Sequence, residues 1–430
     1  MSVRTILSAG FVCGWFVVVA WTAEPQAPAK RPVPSAGPGA PVTAPPLAAA
    51  PDQLPFVYTK WKHFTVADGL PNDHVFAVKA DGNRVWVGTD DGLALIDKKA
   101  GKVVRVWKEK DGLPWRVVTG IEVDPKTGDV WLGLFGRGLA RLSGGRFDHF
   151  HQLNSGLVND VVYAIAMEKD NVWAATTAGA SRYNTKTKEW AIFTEKNAPM
   201  EEIWNYNVAY DPVIDKVFLA VWGSGVLEFD CQKDREKKGD PWKVYLDPDG
   251  EMEIDLYRDD GIIHVITTGV SPVADVFWVS SYFGTCRYDG RNWRGFYAHE
   301  TGLPSDFTNN VRARSIHECW FAHDKCTGVV ADFPTMTVVS YTRDPKTLRG
   351  RAQIFRDGKL LKTVATPLGV PHNFAIYIDH DGHDTWVATG KGLGWAIGEG
   401  YYPGLKSNPA WLADVDKATP AGATGPGAGR

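Results

Sequence analysis

The sequence predicts an all-β fold, a seven-bladed β-propeller of four-stranded antiparallel blades, and three observations carry that prediction. A phrase built on Trp, Gly and Leu returns seven times along the chain. Its aromatic anchors are about 42 to 45 residues apart where nothing is inserted, the length of one four-stranded blade. The first and last copies are each incomplete in a way that the other completes.

The repeat is clearest as VWVGTDDGLALID, residues 85–97, and returns as VWLGLFGRGLARL from Val130 and VWAATTAGASRYN from Val172. Further copies begin at Val217, Phe277, Cys319 and Thr385, the one at Cys319 being the most divergent. The anchors are Trp86, Trp131, Trp173, Phe218, Trp278, Trp320 and Trp386. Two intervals, Phe218 to Trp278 and Trp320 to Trp386, are longer and predict extended loops.

Within each unit an inner strand follows a GLPxxxV-type phrase, as at 74–79, 117–123 and 161–167. The anchor strand follows, its alternation placing Trp on one packing face. A Gly-containing turn leads to the third strand, because Gly reaches positive φ without the cost other residues bear. Outer strands carry aromatic pairs such as Phe147 with Phe150 and Trp190 with Phe193. The last unit stops after its third strand near Ile397, and an orphan outer strand at 61–65 precedes the first unit. Pairing the two would close the ring and remove two open edges, with the N-terminal strand completing the last blade.

The flanks differ in kind. Arg4 followed by an apolar run from Ile6 to Trp21 predicts a signal peptide over 1–23, cleaved after Ala20 or Ala23. Residues 24–54 are rich in Pro and Ala and predict an unfolded linker; 55–405 form the propeller, and 406–430 an Ala/Gly/Pro tail. Export places the protein in the periplasm or outside the cell, with no stable membrane span after cleavage. Cys231, Cys286, Cys319 and Cys326 are then either buried thiols or up to two disulfides, with three pairings open. A formal net charge of −3 gives no footprint for nucleic acid.

The phrase from Asp68 to Asp97, DGLPNDHVFAVKADGNRVWVGTDDGLALID, resembles the two-component regulator propeller repeat of the periplasmic sensor parts of bacterial hybrid histidine kinases. The phrases at 68–71, 111–114 and 301–304 carry the resemblance best. It implies a propeller that recognises an extracytoplasmic ligand and passes a signal on. This chain shows no following immunoglobulin-like domain, second apolar span or kinase region, so a stand-alone sensing or recognition module without kinase activity is expected.

The working face should be the mouth of the central channel, built by the GLPxxx phrases and the anchor-strand turns. The ligand-binding candidates there are His74, Trp115, Arg116, Arg137, Asn159, Trp204, Asn205, Trp222, Tyr282, Asn310, His372 and Asn373. Asp73, Asp90, Asp160, Phe283, Asn309 and Lys391 share that face. Aromatic platforms among amides suit a sugar, peptide or small molecule, or a protein of the envelope. The same Asn and Asp residues are also those that cap turns. The alternative is a lyase or hydrolase using His74, His264 or His372 with a neighbouring carboxylate.

No cofactor motif is present, and no catalytic residue is assigned. The run His317, Cys319, His323, Cys326 has ligand-type residues, but along a strand its members spread too far for one ion. Asp379, Asp381 and Asp384 read as an acidic turn, since they lack the Gly and terminal Glu of a calcium loop.

Overall fold

A computed structural model describes residues 54–247 and 261–399, and its strands form seven antiparallel sheets. The predicted signal peptide, most of the linker and the tail lie outside the described residues. The seven inner strands are Val75–Asp81, Val118–Val123, Val162–Glu168, Asn205–Asp211, Thr267–Val273, Thr308–Ala313 and Ala375–Asp381. Each packs against the next, and the seventh packs against the first, so the ring is closed. Closure happens as the incomplete ends imply: Trp61–Phe64 pairs with Gly392–Ala396, Trp61 opposite Ala396 and Phe64 opposite Leu393.

Blade 6 departs from the expected loop between Trp320 and Trp386. Its sheet has six strands, extended outward by the hairpin Gly350–Arg356 and Lys359–Thr366. The other long interval, between Phe218 and Trp278, includes 248–260, which lie outside the described residues.

All seven anchors are buried. In blades 2, 3 and 5 the residue opposite the anchor is an arginine whose guanidinium lies 5.8, 5.4 and 5.5 Å from the indole centroid (Arg141, Arg182 and Arg287). The ring contact offsets part of the cost of desolvating these cations; at Arg287, which is buried, burial still lowers the pKa to about 10. The turn glycine is demanded by close approach: at Gly92, φ is +135° and an added Cβ would lie 2.5 Å from the Trp107 carbonyl oxygen. Blade 6 places Cys326 at the equivalent position, with φ at +117°. A non-Gly residue there stores roughly 1–3 kcal/mol of strain. Cys231, Cys286, Cys319 and Cys326 are all buried free thiols.

Every inner strand begins with a bulge: its first and third residues pair with consecutive partners, leaving Phe76, Thr119, Tyr163, Tyr206, Thr268, Asn309 and Ile376 out of register. Three of these tie one blade to the next. Thr119 donates to the Val162 carbonyl, Thr268 to that of Thr308, and Asn309 to that of Ala375. Lower on the strands, Lys79 meets Glu122 at 2.7 Å and Arg312 meets Asp379 at 2.9 Å, while Asp379 also accepts from the Ala80 amide. The axis is therefore held by bonds between blades as well as by packing.

His323 is fully buried in blade 6, with Nδ1 3.0 Å from Thr308 Oγ1. Burial lowers its pKa to about 3, from an ordinary value of 6.5. Below pH 6.5 the unfolded chain takes up a proton that the folded chain refuses, so this stability is present above 6.5 and lost progressively toward pH 3. A His323→Gln protein should show a flatter dependence of melting temperature on pH between 6.5 and 4 than the unaltered chain. Parallel curves would refute the assignment.

Candidate functional site at the channel mouth

The bulges put side chains at the head of the channel that strict alternation would have sent between blades. In blades 3 and 4 these are Tyr163 and Tyr206, whose rings stack at 4.8 Å. Around them the loop residues continue an arc of aromatic rings. Phe135 meets Tyr163 at 5.6 Å, Trp204 and Trp222 each meet Tyr206 at 5.5 Å, and Trp222 meets Tyr282 at 5.4 Å. Tyr282 stacks on Phe307 at 3.9 Å. The arc thus spans blades 2 to 6.

Polar atoms within the arc serve one another. Trp204 hydrogen-bonds Tyr163, and Tyr206 hydrogen-bonds Tyr282. Burial pushes the phenols of Tyr163, Tyr206 and Tyr282 above the ordinary value, so all three stay neutral donors. Trp204 is the most open ring of the set, 36% exposed. The surface is apolar, uncharged and edged with hydroxyl and indole N–H groups. It suits a ligand with flat apolar faces and hydrogen-bonding rims.

The structure brings Trp204, Trp222 and Tyr282 together in this arc. Arg137 lies 5.6 Å from the Trp115 ring centroid in blade 2, with Arg116 exposed close by in the chain. The expectation that amides line the mouth needs correction at two positions, Asn205 and Asn310, and the other two amides hold turns. Asn205 is fully buried and donates to the Ile203 carbonyl. Asn310 is 5% exposed and accepts from the Ile378 amide of the next blade. Asn373 is spanned by the Arg343 backbone, accepting from its N–H at 2.9 Å and donating to its carbonyl at 2.8 Å. Asn159 accepts from the Val161 amide and the Thr177 hydroxyl. Each therefore helps hold a turn or strand, Asn373 through both of its polar atoms, while Asn205 Oδ1 is buried without a partner.

Two of the three histidines of the enzyme alternative have a similar occupation. His264 and His372 each accept, through Nδ1, from the amide two residues on, that of Ile266 and of Phe374. Asn72 and Ser305 do the same at the matching positions of blades 1 and 6. His74 lies against Phe76, ring centroids 4.4 Å apart. Burial lowers the pKa of all three, opposed at His74 by Asp90 and reinforced at His372 by Lys391 and Arg343. None of the three makes a hydrogen bond to a carboxylate among the described residues.

On the opposite side of the ring, Lys98 pairs with both Asp381 and Asp384, so the acidic turn of blade 7 holds an ammonium. His323 and Cys326 stand directly opposite each other across the strand pair of blade 6. The one close group of ligand-type side chains among the described residues is Glu168, Asp215 and Cys231, and Arg235 already pairs with both of its carboxylates. Tyr163 and Tyr206 were missed in the sequence because the bulge that exposes them has no residue signature. A tyrosine at the second inner-strand position, where blades 2, 5 and 6 carry Thr or Asn and blades 1 and 7 carry Phe76 and Ile376, was the available signal.

No family model matches the chain, and no curated protein matches its sequence. Solved structures do resemble it. The extracellular domain of one hybrid two component system from B. thetaiotaomicron aligns at 11% identity with a TM-score of 0.58, and that of a second at 12% and 0.54. Each alignment covers 79% of this chain, but only 40% and 42% of those chains, so this chain spans about two fifths of their length. Virginiamycin B lyase from Staphylococcus aureus aligns at 10% identity and a TM-score of 0.53, over 79% of this chain and 99% of that one. At these identities the likeness is one of fold. Among the described residues no helix is long and apolar enough to cross a membrane.

Proposed function

We propose that this chain is an extracytoplasmic binding propeller, a sensing or recognition module that takes its ligand on the aromatic arc at the channel mouth. The arc from Phe135 through Tyr206 and Trp222 to Phe307 is the observation that carries the reading. Its neutral rings fit a sugar, peptide or other small molecule with apolar faces better than a strongly charged one. Likeness to extracellular domains of two component systems supports a sensing role, and the apolar leader supports export. Two of the three histidines of the lyase or hydrolase alternative, His264 and His372, accept from turn amides, and none of the three hydrogen-bonds a carboxylate among the described residues, which favours the binding reading.

The test is a thermal-shift and tryptophan-fluorescence screen of the protein against sugars, peptides and metabolites, followed by titration of any hit. Trp204→Ala combined with Trp222→Ala should weaken binding at least about tenfold, since truncating aromatic anchors commonly costs more than 1 kcal/mol. A ligand that binds the double variant with unchanged affinity would remove the arc as its site.

A further inference from the structure

The hairpin that extends blade 6 is not needed to close the ring, because the other six blades end at four strands. Its chemistry also differs from the rest of the surface. Leu348, Leu360, Leu361 and Leu368 are 48%, 53%, 46% and 41% exposed, in or beside the two strands. Between residues 343 and 362 there are seven Lys or Arg side chains against Asp344 and Asp357, in a chain whose formal net charge is −3. Leucines set among cations are the pattern of a surface that meets anionic lipid: apolar groups enter the acyl boundary and the cations stay among headgroups.

An open sheet edge could instead accept a strand from another protein, and two features argue against that. The outer strand carries a bulge at Leu361, between the pairs Phe355–Leu360 and Ile354–Lys362, so its ladder of outward groups is broken. Lys359 and Lys362 flank the two leucines, and lysines on an edge discourage strand addition. Neither feature impedes contact with a fluid, planar surface that needs no matching register. Leu348 and Leu368 stand near the other end of the hairpin, where Gly350 pairs with Thr366, so leucines are exposed along its length.

We propose that the blade 6 hairpin docks this propeller on an anionic lipid surface. The test is hydrogen–deuterium exchange of the full chain with vesicles of phosphatidylglycerol and phosphatidylcholine, or of phosphatidylcholine alone. Amides of Lys359–Thr366 should exchange several-fold more slowly with the anionic vesicles only, and the protection should fade at 0.5 M salt, where charges are screened within roughly 4 Å. The readout is local, so attachment through another segment does not produce it. Leu360→Ser with Leu361→Ser, and separately Lys359→Glu, should lose the protection while melting temperature holds. Unchanged exchange of this strand in the unaltered chain overturns the proposal, as does equal protection by neutral vesicles. Protection by polyglutamate but not by anionic vesicles would overturn it too, by assigning the hairpin to an acidic protein.

Discussion

Replacing Glu318 by Ala is expected to destabilise the propeller by about 3–5 kcal/mol, the usual cost of stranding a buried charge. Glu318 and Arg314 are both buried and meet at 2.7 Å. The same guanidinium donates to the Tyr58 hydroxyl at 2.9 Å and contacts His380 Nδ1 at 3.2 Å, while Trp320 Nε1 donates to Glu318 at 2.8 Å. Burial works against the charge on Arg314, but Glu318 and then Tyr58 outweigh it and hold its pKa above the ordinary value. One ion pair thus links the blade 6 anchor, blade 7 and the segment before the closing strand. Urea midpoints would measure the loss. Combining Arg314→Met with Glu318→Leu should recover much of it, because no orphan charge remains. A Glu318→Ala protein within about 1 kcal/mol of the parent would show that the pair is solvated.

The second large effect is expected at Phe64, where truncation to Ala should cost about 3–5 kcal/mol. Phe64 is 1% exposed, lies 6.0 Å from the Trp386 ring centroid and belongs to the cluster holding Leu70, Val75 and Leu393. Phe150 occupies the matching place on the outer strand of blade 2 but is only half-buried. The comparison separates packing from closure. Phe150→Ala should lower the melting temperature less and loosen only its own blade. Phe64→Ala should also accelerate amide exchange across Gly392–Ala396, whose partner is the four-residue closing strand. Equal local loosening in both variants would mean that closure adds nothing to the worth of that ring.

The architecture was legible in the sequence because anchors and turn glycines are governed by short-range rules: a large ring to fill the space between sheets, and positive φ at a fixed offset. Complementary ends followed from counting strands. The blade 6 hairpin was not legible, since KLLKTVAT carries neither an anchor nor the turn phrase and falls in an interval that predicts an extended loop. At the site, Trp204, Trp222 and Tyr282 could be placed because they sit in the loops. Asn205 and Asn310 were misplaced because an amide at a strand head looks the same whether it faces solvent or the neighbouring blade. Tyr163 and Tyr206 depend on a one-residue slip in pairing, which is a property of two strands and not of either one.

The pairing of Trp61 with Ala396 also sets an order in time. At roughly 5–20 residues per second, the partner of the first strand is synthesised some tens of seconds after it. During that interval Trp61–Phe64 has nothing to pair with, and Gly392–Ala396 gains its outer neighbour only at the finish. Ring closure is therefore a contact of very high sequence separation, of a kind that forms slowly. Lys62 and His63, at the two middle positions of the waiting strand, keep a segment that must stay unpaired from being wholly apolar.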